Sequence, residues 1–112
     1  MPLLKVQTNE KVADKKKVME DATELLSRVL SKPTQYIMVI IEDSVDMMFA
    51  DTNDPLAYVE LKSIGLPESH TPNISAELCR FIEENIGVPQ NRIYIEFADA
   101  KRNMFGWNGG TF

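Results

Sequence analysis

The second residue of the chain is a proline, directly behind the initiating Met1. A small second residue generally permits removal of that methionine, which leaves a free secondary amine with its lone pair held in a ring. Burial in an apolar pocket disfavours the charged form of such an amine, and a nearby lysine ammonium disfavours it further. A neutral amine near pH 7 can act as a general base, so Pro2 is a candidate for proton transfer. The other chemically capable residues carry blander readings. His70 stands alone in the polar run Glu68-Ser69-His70-Thr71, with no visible nucleophile or orienting partner. Cys79 sits beside Leu78 on the edge of an apolar stripe, where a small half-buried thiol is expected. As the one cysteine it forms no internal disulfide, and a zinc cage needs several Cys or His ligands. Asp51, Asn53 and Asp54 lack the glycine and distant glutamate of a calcium loop, so they read as a turn. Lys15-Lys16-Lys17 reads as the solvated start of a helix. Gly106, Gly109 and Gly110 do not lead from a strand into a helix, so they make no phosphate loop. No metal and no organic cofactor is expected.

The elements that would hold Pro2 come in two similar halves. Leu30 to Asp43 aligns with Ile86 to Asp99, matching Pro33 to Pro89, Ile37 to Ile93, Val39 to Ile95 and Asp43 to Asp99. Each half reads as strand, helix, strand. Leu4, Val6 and Thr8 alternate with Lys5 and Gln7, the pattern of a short strand. Val18, Ala22, Leu25, Leu26 and Val29 recur at helical spacing behind a capping Asp14, and Ser31-Lys32-Pro33 stops that helix. Tyr36 to Ile41 is continuous and apolar, which predicts a central strand. Ala57, Val59 and Leu61 alternate in a third strand. Thr71-Pro72 reads as a cap followed by a first-turn proline. Ile74, Leu78, Phe81, Ile82 and Ile86 form the stripe of the second helix, ended by Gly87 and Pro89. Ile93, Ile95 and Phe97 mark the fourth strand. The prediction is an α/β fold: two βαβ halves forming a four-stranded mixed sheet with two helices on one face, since right-handed crossovers place both helices on the same side. Met38 and Ile40 then point to a face that nothing in the chain covers, and an apolar strand there implies a second subunit.

Length and composition set the outer limits. A chain of 112 residues is expected to form a single domain over residues 1–112, burying about 65% of its unfolded surface. Hydrophobic residues make up 44% and charged residues 26%, which excludes disordered and fibrous classes. No apolar run approaches the roughly 20 residues of a membrane span, and Lys5 interrupts any signal-peptide core. The net charge of −5 argues against nonspecific nucleic-acid or anionic-membrane binding. A reduced, cytoplasmic protein is the expectation.

Five segments in register carry a family resemblance: Met1-Pro2-Leu3-Leu4, the run Ser31 to Ile37, Ser63-Ile64-Gly65, Arg92-Ile93-Tyr94-Ile95, and the tail Gly106 to Phe112. Together they resemble the macrophage migration inhibitory factor family of the tautomerase superfamily, over essentially the whole chain. The resemblance implies a homotrimer whose three sheets surround a channel, with active sites between subunits. It implies keto–enol tautomerisation of phenylpyruvate-like aromatic α-keto acids, with Pro2 as the base. Lys32 matches the cation that holds the substrate carboxylate or carbonyl, and Ile64 the residue whose backbone positions substrate. Tyr36, Trp107 and Phe112 match the aromatic or apolar walls, and Tyr94 a wall contributed by the neighbouring subunit. An enolate-like transition state suits a neutral base, a fixed cation and a dry aromatic slot.

Three departures from the family pattern matter. Leu56-Ala57-Tyr58-Val59 replaces the Cys-x-x-Cys of the animal cytokines, so no thiol-oxidoreductase activity is implied. Glu96 replaces a pocket asparagine, where a carboxylate would repel anionic substrates or raise the pKa of the base. Phe105 replaces a smaller aliphatic residue at the rim. Two other classes remain open: a cytokine-like or regulatory binding protein of the same fold, and a ferredoxin-like ligand-binding module. A processed Pro2 favours the enzyme, whereas a blocked or retained Met1 favours either non-catalytic class.

Overall fold

A computed structural model describes residues 1–112. The order of elements is β1 (Pro2–Thr8), α1 (Lys15–Leu30), β2 (Met38–Glu42), β3 (Ala57–Ile64), α2 (Thr71–Ile86), β4 (Ile93–Ala100), then the two-residue strands β5 (Gly106–Trp107) and β6 (Gly110–Thr111). The main sheet runs β2-β1-β3-β4. Strands β1 and β2 are parallel, β1 and β3 antiparallel, β3 and β4 parallel. This is the mixed four-stranded sheet with two helices that the βαβ halves predict.

Helix α1 begins at Asp14, whose carboxylate accepts the Lys17 amide at 3.1 Å and satisfies one of the orphan donors of the first turn. Its stripe Val18, Ala22, Leu25 and Leu26 is buried. Helix α2 buries Ile74, Leu78 and Ile82. Both stripes join Leu4, Val6, Val59 and Leu61 in one core, so both helices lie on the same sheet face. The pleat sends Leu3, Lys5, Met38, Ile40, Tyr58, Glu60, Tyr94 and Glu96 to the opposite face. No element of the chain covers that face, and Met38 is 57% and Tyr94 64% exposed.

The internal repeat is real in three dimensions. α1 and α2 start and end at matching positions, and each ends on a left-handed residue, Ser31 and Gly87. Pro33 and Pro89 each open a short 3₁₀ turn, Thr34–Tyr36 and Gln90–Arg92. Asp43 and Asp99 each reach back to bond the backbone beyond the preceding strand of their own half. Asp43 accepts the Val12 amide at 2.8 Å, and Asp99 accepts those of Gly65 and Leu66 at 3.0 and 3.1 Å.

Two local expectations need correction. The apolar run at Tyr36 is not a central strand: Tyr36 closes a 3₁₀ turn, and β2 is an edge strand. Its continuous apolarity reports demand on both faces, with Val39 packed against the core and Met38 outside. Thr71 is not a cap. The 3₁₀ turn Glu68–His70 runs directly into α2, and the Thr71 hydroxyl donates back to the Glu68 carbonyl at 2.9 Å. The tail carries one more element. Asn108 and Gly109 take positive φ of 52° and 81°, and they join β5 to β6 in a tight hairpin.

Candidate functional site

The sheet topology gathers one end of all four strands. Pro2, at the start of β1, pairs with Ser63 near the end of β3, and Ser63 pairs with Asp99 near the end of β4. Leu3 pairs with Met38, the first residue of β2. The connections leaving and entering this end therefore converge around Pro2. The link from α1 to β2 brings Lys32 and Tyr36. Lys32 is held as α1 ends: its amide donates to the Ser27 carbonyl at 3.2 Å, and its own carbonyl accepts the Ser27 hydroxyl at 2.6 Å. The Tyr36 amide donates to the Pro33 carbonyl at 3.2 Å. Ile64 ends β3, buried and paired with Ala100, and the carboxylate of Asp99 clamps the turn that follows it. Beyond β4, the turn Arg102–Met104 leads into the hairpin and Phe112.

The aromatic residues from these separate segments meet. The Tyr36 ring stands edge-on to Trp107 at 5.8 Å and to Phe112 at 6.1 Å, while Trp107 and Phe112 stack at 5.5 Å with 17° between their planes. Such spacings are those of favourable aromatic pairs. Phe105 continues the wall, 6.3 Å from Phe112, and its carbonyl accepts the Phe112 amide at 3.1 Å. A cavity of about 230 Å³ opens nearby, lined by Lys32, Ser63, Gly65 and Leu66 among others, with the exposed His70 at its edge.

Pro2 is fully buried and Met1 half-buried. The terminal amine, carried by Met1 in the intact chain, is held below its ordinary value of 8.0, first by burial, then by the charges of Lys32 and Arg102. Neither cation is in an ion pair; the pairs lie at Lys5, Lys15, Lys17, Lys62 and Arg80. Arg102 escapes a reading of sequence, because a charged residue in a loop leaves no periodic signal. Asp99 was visible only as a member of the repeat.

Tyr94 and Glu96 lie elsewhere. Both are on the open face, toward the start of β4, and so stand apart from the Pro2 end of their own chain. Tyr94 packs 4.7 Å from Phe49, over which the Arg92 guanidinium sits at 5.3 Å. Glu96 faces Glu60 across the strand pair, with the Tyr58 hydroxyl shared between their carboxylates at 3.5 and 3.3 Å. Burial and then these two carboxylates push the Tyr58 hydroxyl above its usual range. A larger groove of about 450 Å³ lies between α1 and α2, lined by Asp21, Glu24, Arg28, Glu77, Arg80 and Glu84, and it contains none of the candidate residues.

The remaining candidates fall into structural roles. Burial raises the pKa of the half-buried Cys79 thiol, which makes it a poor nucleophile. Ala50 and Asp51 take left-handed φ in a turn closed by the Phe49–Thr52 bridge, while the Asn53 carbonyl accepts from Asn9 and the Asp54 carbonyl from Arg92. No three His, Cys, Asp or Glu side chains converge to hold a metal ion. No helix is long and apolar enough to cross a membrane.

Comparison with known proteins agrees along the whole length. The family model described as macrophage migration inhibitory factor matches residues 1–112. A macrophage migration inhibitory factor of Xenopus tropicalis is 36% identical over 85% of this chain and 84% of its own. A homolog from Trichinella spiralis is 33% identical over 100% of both chains. The crystal structure of a homologue from Prochlorococcus marinus superposes with a TM-score of 0.94 at 39% identity, covering 98% of each chain. With this fold, this duplicated topology and a full-length match, the chain belongs to the macrophage migration inhibitory factor family and carries its tautomerase fold.

Proposed function

We propose that the protein is a keto–enol tautomerase acting on small aromatic α-keto acids such as phenylpyruvate, with no metal or organic cofactor. The observation that carries this reading is the fully buried Pro2 at the start of β1, beside the cavity that Lys32 lines with Ser63, the strand partner of Pro2; burial and Lys32 also lower the pKa of the terminal amine there. After removal of Met1, the Pro2 nitrogen becomes that amine. It takes a proton from the carbon beside the substrate carbonyl, and the electron pair moves into an enolate. Lys32 holds the substrate carboxylate or carbonyl and offsets the developing negative charge, which is worth most in a water-poor site. The proton is then delivered to the oxygen, giving the enol, and the reverse sequence regenerates the ketone. The Ile64 backbone positions the substrate against Tyr36, Trp107 and Phe112.

The active unit in this reading is a homotrimer. The open sheet face, with Met38 exposed, is where further subunits would pack. Tyr94 and Glu96, which stand apart from their own Pro2, would serve the pocket of a neighbouring subunit. The test is a phenylpyruvate tautomerisation assay on protein whose mass verifies the loss of Met1. General-base catalysis contributes about 10²–10⁴-fold, and an N-terminal extension turns the amine into an amide that accepts no proton, so turnover should fall by that range. Pro2→Gly keeps an amine without its ring and should retain part of the activity. An extended protein as fast as the processed one would remove Pro2 from the mechanism.

A further inference from the structure

Arg102 is the cation at this end of the sheet that the proposed reaction does not use. It opens the turn after β4, two residues beyond Ala100, the strand partner of Ile64. Its carbonyl accepts the Phe105 amide at 3.3 Å, so the backbone that carries it is tied to the aromatic wall. Its side chain is exposed and forms no ion pair in a chain with 17 acidic residues against 12 basic ones. The lack of a partner is therefore not for want of carboxylates.

The aromatic rings relate Arg102 to Lys32. Tyr36 belongs to the same connection as Lys32, and Phe105 to the same turn as Arg102. Tyr36 and Phe105 are linked through Phe112 by two ring-to-ring steps of 6.1 and 6.3 Å. An elongated substrate lying along this wall would run from the connection that carries Lys32 to the turn that carries Arg102. A simple aryl α-keto acid carries one carboxylate and satisfies only Lys32. From this arrangement, and on the tautomerase reading above, we infer that Arg102 is a specificity residue that binds a second carboxylate at the far end of the substrate. The preferred class is then an α-keto acid with a distal anionic group.

Both cations also lower the pKa of the terminal amine. The titratable and charged groups at this end of the sheet are Lys32 after α1, His70 before α2, Asp99 on β4 with one carboxylate oxygen on the Gly65 and Leu66 amides, and Lys101 and Arg102 after β4. Removing Arg102 raises the amine's pKa and slows any substrate alike at a given pH. A ratio between two substrates cancels that effect.

The experiment compares (4-carboxyphenyl)pyruvate with phenylpyruvate, using Met1-processed wild type, Arg102→Gln and Arg102→Lys. The ratio of kcat/KM, dianion over monoanion, should fall about five- to tenfold in Arg102→Gln, the scale of one charge-assisted hydrogen bond at an exposed site. The loss should lie in KM, and Arg102→Lys should restore part of the ratio. An unchanged ratio with an active wild type overturns the role of Arg102 alone. A loss equal for both substrates does so too, since the raised pKa of the amine alone would give it. If the processed wild type turns over neither compound, the tautomerase reading falls and this inference with it.

Discussion

Replacing Asp99 by alanine should damage both stability and catalysis, whereas the same change at its repeat counterpart should damage stability alone. One carboxylate oxygen of Asp99 accepts the amides of Gly65 and Leu66 at 3.0 and 3.1 Å. Each bond contributes about 0.5–1.5 kcal/mol net, so the loss is about 1–3 kcal/mol, toward the upper end because Leu66 is only 5% exposed. The freed turn follows Ile64 directly. A shift of about 1 Å there would cost up to about 10²-fold in rate, since positioning a substrate depends steeply on geometry. Asp43 does the equivalent work on Val12 at 2.8 Å and pairs with Lys15 at 3.1 Å, but at the opposite end of the sheet. The assay is urea denaturation of both variants, followed by phenylpyruvate turnover where each is fully folded. Equal kcat losses in the two variants would refute the reasoning, because the site would then respond to stability and not to the position of Ile64. An Asp99→Ala protein with unchanged stability and rate would show that the two bonds hold nothing in solution.

Three further outcomes are expected. Lys32 lowers the pKa of the terminal amine, and a base works only when unprotonated, so Lys32→Ala should shift the acid limb of the kcat/KM profile to higher pH; a limb that stays in place would exclude Lys32 from the amine's surroundings. Glu96→Asn should raise turnover or lower KM for anionic aromatic substrates if Glu96 enters a neighbouring pocket, while unchanged kinetics in a folded variant would leave it serving only Tyr58. The Val12 amide and then Lys15 hold the Asp43 carboxyl below its ordinary 3.8, so its contribution is present above about pH 4 and lost as pH falls through the lower folded value. Urea midpoints measured between about pH 3 and 6 should therefore fall less steeply in Asp43→Asn than in wild type, and parallel curves would contradict the assignment.

Much of the fold was legible because the helices declare themselves by apolar spacing and the halves by their repeated prolines and aspartates. The position of β2 was not legible. Periodicity reports how many faces of a strand are buried, and it is silent about whether a strand has one hydrogen-bonded neighbour or two. The hairpin was available in Asn108-Gly109, a strong turn signal, but flanking strands of two residues are too short to show alternation. At the site, Pro2, Lys32, Ile64, Tyr36, Trp107 and Phe112 do gather at one end of the sheet, as their resemblance implies. Tyr94 and Glu96 do not: the alternation along β4 puts both on the open sheet face, toward the start of the strand.

The duplication puts different side chains at corresponding positions of the two ends of the sheet. Ala57 is the counterpart of Pro2: it begins β3 and pairs with Thr8 as Pro2 begins β1 and pairs with Ser63. Val88 stands at the position matching Lys32 and is fully buried, so no charge is present there. Arg92 matches Tyr36, and its guanidinium donates to the carbonyls of Pro55, Thr52 and Asp54 at 3.0, 3.2 and 3.1 Å while lying over Phe49. That end is closed by its own backbone acceptors, and the guanidinium of Arg92 is spent on them. At the Pro2 end, Lys32 and Arg102 have no carboxylate partner, and the rings of Tyr36, Trp107 and Phe112 pack on one another. Water solvates these two cations in the free chain, so both stay available for the carboxylate of the substrate proposed above.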